Sequence, residues 1–224
     1  MNTSLIEFAE KYPLKKYTKG QSIILPGDEN KFVYLIIEGH VKSYAIDENG
    51  NAIILNIYKP GNIFPISEVL AEKVNPFYFE VIDSCILRVV PTKDMINYLI
   101  DNKDALFDLT RRLSVGLEAF MIRTLYLIRS NAAQKIAAAL VMLAKRFGVQ
   151  DNGGKTLVIS LPQTHDDIAS LAGVSRETAS IEIKKLEKLG VLSRKNKKTI
   201  IKDYTKLCEN SLIYYRNEHL PYTF

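Results

Sequence analysis

Cysteine and histidine are scarce in this chain of 224 residues, which has two cysteines, Cys85 and Cys208, and three histidines, His40, His165 and His219. Two cysteines so far apart make no disulfide framework and read as buried free thiols in a reducing compartment. The histidines are scattered, and the chain has no HExxH, GxSxG or phosphate-loop pattern. His165 stands beside Asp166 and Asp167, but acids in a first helical turn more simply complement the helix dipole. No apolar run reaches the roughly 18 residues of a membrane span, and the opening MNTSLIEFAEKYPLKK lacks the hydrophobic segment of a secretion signal. The expectation is a cytoplasmic protein with no catalytic site, no metal site and no membrane partner.

A hydrophobic content of 47% and a formal charge of +5 fit a folded globular chain of one large or two modest cores. The basic excess is mild overall but gathers near the C-terminus. The stretch 160–202 reads SLPQTHDDIASLAGVSRETASIEIKKLEKLGVLSRKNKKTIIK. Thr164 is placed to cap a short helix whose apolar face is Leu161, Ile168, Leu171 and Ala172, and Gly173 breaks it. Ser175 caps a second helix, with Ala179, Ile183, Leu186 and Leu189 spaced for one buried face. Two short strands then flank the basic segment 193–198. Between Lys188 and Lys202 there is no acidic residue, and Lys188, Arg194, Lys195, Lys197, Lys198 and Lys202 are basic. Two helices about a glycine turn followed by a basic hairpin form a winged helix-turn-helix.

The second helix carries the chemistry to read base edges. Arg176 offers a fork for guanine O6 and N7, and Glu177 can accept from cytosine N4. Ser175, Thr178 and Ser180 supply hydroxyls near the same end, and Lys184, Lys185, Lys197 and Lys198 suit phosphates. These nine residues are the expected DNA contacts.

Upstream, a short opening helix ends at Pro13. Strands are expected at 22–25, 32–37, 41–46, 53–58, 77–82 and 86–90, separated by glycine turns, as in a β-sandwich or roll. A short helix capped by Thr92 follows, then a long one over 103–129. Leu106, Leu109, Leu113, Gly116, Phe120 and Leu127 lie near heptad spacing on it, with Arg123 interrupting, and predict a dimer seam, the alternative being an ordinary amphipathic core helix. Further helices are expected over 132–147 and 204–220, with a flexible turn at 150–155 and a strand at 156–161.

The segment GVSRETASIEIKKLEKLGVL resembles the recognition helix of the Crp/Fnr family of bacterial transcription regulators, and KGQSIILPGDENKFVYLIIEGHVKSYAIDENGN with KPGNIF resembles its effector domain. The resemblance implies an α+β chain: a cyclic-nucleotide-binding-like β-roll (a jelly roll) at 1–102, a dimerisation helix at 103–130 and a winged helix-turn-helix at 131–224. It also implies a homodimer on a near-palindromic DNA site, with RNA polymerase as a further partner. In the family an arginine four residues beyond the glutamate commonly reads a base as well; here Ile181 stands there and cannot hydrogen-bond.

The resemblance stops at the effector. Family members that bind cAMP grip ribose and phosphate with Gly-Glu and Arg-Ser pairs; Pro65-Ile66 and Asn75-Pro76 stand in their places, and Phe120-Met121 where the base is contacted. A buried phosphate without a cation is prohibitive, so cAMP is not expected. Two readings stay open: Phe64, Ile66, Phe77, Phe79, Phe120 and Met121 fill the roll, or these side chains with Asn75 line a site for an apolar or aromatic effector. An Fnr-like iron–sulfur cluster needs four thiolates, and haem an axial ligand where His40 is the sole histidine; neither cofactor is expected. An enzyme and a DNA architectural protein without sequence preference are the competing classes, and Arg176 with Glu177 speaks against the second.

Overall fold

A computed structural model describes residues 3–211. The chain forms two compact units, Met1–Gly116 and Leu117–Phe224.

The first unit opens with α1 (Thr3–Glu10) and continues as eight strands: β1 (Leu14–Tyr17), β2 (Ser22–Ile24), β3 (Phe32–Glu38), β4 (Val41–Ile46), β5 (Ala52–Tyr58), β6 (Ile63–Phe64), β7 (Tyr78–Val81) and β8 (Cys85–Pro91), with α2 (Ile66–Leu70) between β6 and β7. The strands form two antiparallel sheets, ordered β1-β8-β3-β6 and β2-β7-β4-β5. Alternation along β3 sorts its side chains between two cores. Val33 and Leu35 join the helical core with Leu5, Ala9, Met95 and Leu99, while Ile36 and Tyr34 join the core between the sheets. Gly39, at φ +81°, must be glycine, because an added Cβ would collide with the backbone of Ser84.

All six expected strands form, with ends shifted by a residue or two; β1 and β6, too short to show a period, are additions. α3 (Thr92–Asp101) is not capped by Thr92. Thr92 is its first residue, and its hydroxyl donates to the carbonyl of Asn30 at 2.5 Å.

The long helix α4 (Lys103–Arg129) and α5 (Ala132–Phe147) have the expected ends. Asn131 and Gln134 close a capping box at the start of α5. Several residues of the seam expected on α4 are engaged within their own chain. Leu109 is buried in the helical core of its own chain and Leu113 packs against it, so neither faces outward. Arg123 donates to the carbonyl of Leu171, and Leu127 lies beside Gly173. The exposed apolar stripe is instead Phe107, Leu117, Met121, Leu125 and Ile128, each between 54% and 73% exposed, with Leu106 and Phe120 at its margin.

In the second unit, α5 is the central buried helix, packed by α6 (His165–Ala172), α7 (Arg176–Lys188), α8 (Tyr204–Glu209) and the sheet β11 (Leu192–Lys195), β12 (Lys198–Ile201), β10 (Thr156–Ile159), β9 (Gly148–Asp151). The supposed flexible turn at 150–155 is partly strand, because Gln150 and Asp151 pair with Leu157 and Thr156. Ala179, Ile183 and Leu186 are buried on α7 as expected, but Leu189 is exposed; α7 ends at Lys188, Gly190 turns the chain at φ +71°, and Val191 takes the buried place. The C-terminal helix expected over 204–220 is present as Tyr204–Glu209, and its part beyond residue 211 lies outside the described residues.

Candidate nucleic-acid interface

The first turn of α6 is set by a capping box. The hydroxyl of Thr164 accepts from the amide of Asp167 at 3.1 Å, and the Asp167 carboxylate accepts from the amide and hydroxyl of Thr164. Gly173, at φ +62°, ends α6 in the left-handed conformation that a β-carbon disfavours. Ser175 caps α7, accepting from the amide of Thr178 at 3.2 Å, with the two hydroxyls 3.0 Å apart. Ser175 and Thr178 are thus engaged with each other at the helix start.

Arg176 and Glu177 stand exposed at the N-terminus of α7. The Arg176 guanidinium pairs through Nε with Asp166 Oδ1 at 3.4 Å. Glu177 is held below the usual carboxylate range by its own backbone amide, then by the hydroxyl of Ser175 and the charge of Arg176. Ser180 is half-buried, its hydroxyl 2.8 Å from Nδ1 of His165. Lys184 and Lys185 are exposed, and Lys185 also pairs with Glu182 at 2.7 Å.

The wing turns at Asn196-Lys197, both at positive φ, the tight geometry that matches strand twist. Lys195, Lys197 and Lys198 are exposed along it. Arg194 does not join them. It is half-buried, donates to the carbonyl of Gln163 at 2.5 Å and is lowered by desolvation, so it fastens the wing instead of facing a phosphate. Gln163, 1% exposed, is the residue the sequence did not announce: its amide donates to Lys197, and its side-chain oxygen accepts from the buried hydroxyl of Thr199. The side-chain contacts of His165 and Asp166 were equally unannounced. All nine expected contact residues lie on α7, at its cap or on the wing.

The candidate effector residues divide. Phe64 and Phe79 stack at 5.0 Å in the core between the sheets, with Tyr34 and Tyr58 each 5.4 Å from Phe64 and Phe77 packed alongside. Ile66 faces the other way, into the helical core. Asn75 is buried but spends its side-chain amide on the carbonyls of Leu25 and Phe77, holding a loop. Phe120 and Met121 are 55% and 54% exposed and fill no core. Tyr17, Tyr34 and Tyr58, none of them among the expected residues, share that core with Phe64 and Phe79 and with aliphatic side chains such as Ile36, Val41 and Leu87.

A Crp-like helix-turn-helix domain model matches residues 134–209, and a cyclic nucleotide-binding domain model matches residues 14–102. The chain belongs to the Crp/Fnr family. It is a Crp/Fnr-type DNA-binding transcription regulator. The anaerobic regulatory protein of Haemophilus influenzae is 26% identical over 196 residues, 87% of this chain and 75% of that one. The fumarate and nitrate reduction regulatory protein of Escherichia coli is 25% identical over 195 residues, 87% of this chain and 77% of its own length. A Crp/Fnr-family regulator from Thermus thermophilus superposes with a TM-score of 0.72 at 26% identity, covering 89% of this chain and 98% of that one. Among the described residues, no helix of the Crp/Fnr regulator is long and apolar enough to cross a membrane.

His165 sits where α6 meets α7, and its pKa is lowered, first by burial and then by Arg194, with Arg176 and Lys184 adding and Glu187 opposing. The folded imidazole therefore holds a proton less readily than the unfolded one, whose ordinary value is 6.5. The stability this confers is whole above that value and is lost as the pH falls below it. In thermal unfolding between about pH 8 and about pH 5, the wild type should lose stability more steeply below pH 6.5 than His165→Gln does. Superimposable profiles would show that His165 titrates as an ordinary exposed imidazole.

Proposed function

We propose that this regulator is a sequence-specific homodimer that reads a near-palindromic DNA site through Arg176 and Glu177, and that cAMP is not its effector. The observation that carries the reading is the split of α7: Ala179, Ile183 and Leu186 are buried, while Arg176, Glu177, Ile181 and Lys184 are exposed. Arg176 can span guanine O6 and N7, and Glu177 can accept from cytosine N4. Ile181, exposed and apolar, suits the methyl group of thymine, the one base-edge group it can satisfy. Ser175 and Thr178 stand at the positive end of α7, where phosphate is favoured. Lys184, Lys185, Lys197 and Lys198 supply backbone neutralisation. Arg176 and Glu177 also weigh against an architectural binder, which needs no base-edge partners.

The dimer reading rests on the exposed stripe of α4. Phe107, Ser114, Met121 and Ile128 recur every seven residues, and Thr110, Leu117 and Thr124 fall three residues after the first three of them. The hydroxyls of Thr110, Ser114 and Thr124 each donate to the carbonyl one turn back, at 2.8, 3.0 and 2.9 Å. A partner helix could cover them without leaving a donor unsatisfied. On a near-palindromic site the two recognition helices of such a dimer would enter half-sites about one helical turn apart, some 34 Å.

Three observations support a role without cAMP. Pro65-Ile66 and Asn75-Pro76 offer no cation for a buried phosphate. The amide of Asn75 is already committed, and aromatic rings pack between the sheets. Cofactor chemistry has equally little support: two cysteines cannot supply four thiolates, and burial pushes Cys85 up to about 12. His40 is engaged by Asp83, its Nδ1 2.8 Å from the carboxylate. The protein acts by binding DNA in the cytoplasm, with no reaction of its own.

Capture of duplexes from a random pool should recover one near-palindromic motif; recovering none at moderate salt would sink sequence-specific reading. On the captured site, Arg176→Ala should cost about 1–3 kcal/mol and relax one base position. Lys197→Ala should weaken all sequences alike and flatten the salt dependence by about one unit. Equal losses by Arg176→Ala on cognate and scrambled duplexes at every salt would make Arg176 a phosphate contact. Leu117→Lys should turn the dimer into a monomer in light scattering; an unchanged mass would place the seam elsewhere. Titration calorimetry with cAMP should give no saturable heat, and a micromolar isotherm would overturn that part of the reading.

A further inference from the structure

The first turn of α6 touches the side chains of α7 at two points, His165 at Ser180 and Asp166 at Arg176. We infer that Asp166 is a positioning residue that fixes a guanine preference at Arg176, by holding the guanidinium at Nε and leaving its two terminal nitrogens as a fork for O6 and N7. The inference rests on the reading of Arg176 as a base contact and names what aims it.

The atoms involved make the case. The ion pair is made between the carboxylate Oδ1 of Asp166 and Nε of Arg176, 3.4 Å apart. Among the described residues, the terminal nitrogens make no hydrogen bond. Guanidinium geometry makes this division useful, because one edge can be held while the other presents two parallel donors. Lysine, whose three donors radiate from one freely rotating nitrogen, has no second edge to hold while a fixed fork faces the base.

The position of Asp166 is itself fixed. Thr164 and Asp167 close the capping box on either side of it, and Gly173 sets the turn that brings Arg176, the first residue of α7, back toward it. The pair adds little to folding, since its side chains are 67% and 65% exposed and such pairs are weak in water. An acid on this face also repels phosphates, which lowers affinity for any duplex. What the carboxylate offers in return is order: a long, rotamer-rich side chain held near its reading geometry before the encounter loses less freedom on binding. At a desolvated interface the same contact also grows stronger than in open water.

The test uses the full chain and the motif it selects, with each base of the half-site varied in turn at fixed salt. Asp166→Asn, similar in size but uncharged, should reduce the preference for guanine over the other bases at one position by about tenfold, while binding to scrambled duplex holds or rises. Arg176→Lys should lose that same preference yet keep the salt dependence. The double variant Asp166→Asn with Arg176→Lys should discriminate no worse than Arg176→Lys alone, because the two residues act as one unit. Replacing that guanine by 7-deazaguanine should weaken the wild type and leave Asp166→Asn little changed. Thermal unfolding at neutral pH checks that Asp166→Asn folds; if it does not, the comparison passes to Asp166→Ser, which can still favour the first helical turn. An unaltered base preference in a folded Asp166 variant, or additive losses in the double variant, overturns the inference and leaves the base-reading proposal standing. A wild type that selects no motif overturns both.

Discussion

Gln163 lies at the junction of the α6 entry and the wing, 1% exposed, with every polar group it owns engaged. Its amide donates to Lys197, its carbonyl accepts from Arg194, its side-chain nitrogen donates to Leu161 and its side-chain oxygen accepts from Thr199. A buried amide that lost one of these partners would carry the desolvation cost alone, so wing and helix entry are bound to one mutual arrangement. Thr164, the next residue, caps α6. The rotational phase of α6, and with it the direction of His165 and Asp166, follows from that anchorage. The recognition surface is thus registered from inside, by a residue that need never meet DNA.

The features readable from the sequence were those with local causes. Both ends of α4 and α5, the caps at Thr164 and Ser175 and the glycine turns depend on neighbours a few residues away, and they form where the pattern placed them. The phase of α4 was not readable, because leucines occur on several of its faces. Which face turns inward was decided by distant residues: Val33, Leu35 and Met95 claim Leu109, and Leu113 follows. Ile66 shows the same effect, since Phe64, the last residue of β6, joins one core and Ile66, the first residue of α2, joins the other.

At the interface, residue types were legible and partnerships were not. The basic run from Lys188 to Lys202 reads as uniform charge, yet Arg194 is withdrawn from it by a carbonyl 31 residues away in sequence. Asn75 looked like a candidate for a ligand because it stood at a ligand position, and its amide proved to be spent on backbone carbonyls. A polar residue in a core announces its type in the sequence, whereas its partner is a property of the fold.

Dimerisation through the exposed stripe on α4 would change how the regulator answers its own abundance. Where two chains must meet before two recognition helices can share one site, operator occupancy at low concentration grows with the square of the protomer concentration. Synthesis and degradation then become inputs in their own right, because halving the pool of chains removes about three-quarters of the assembled readers in that regime. The apolar side chains of one helix would thereby set a threshold in gene expression with no small molecule involved.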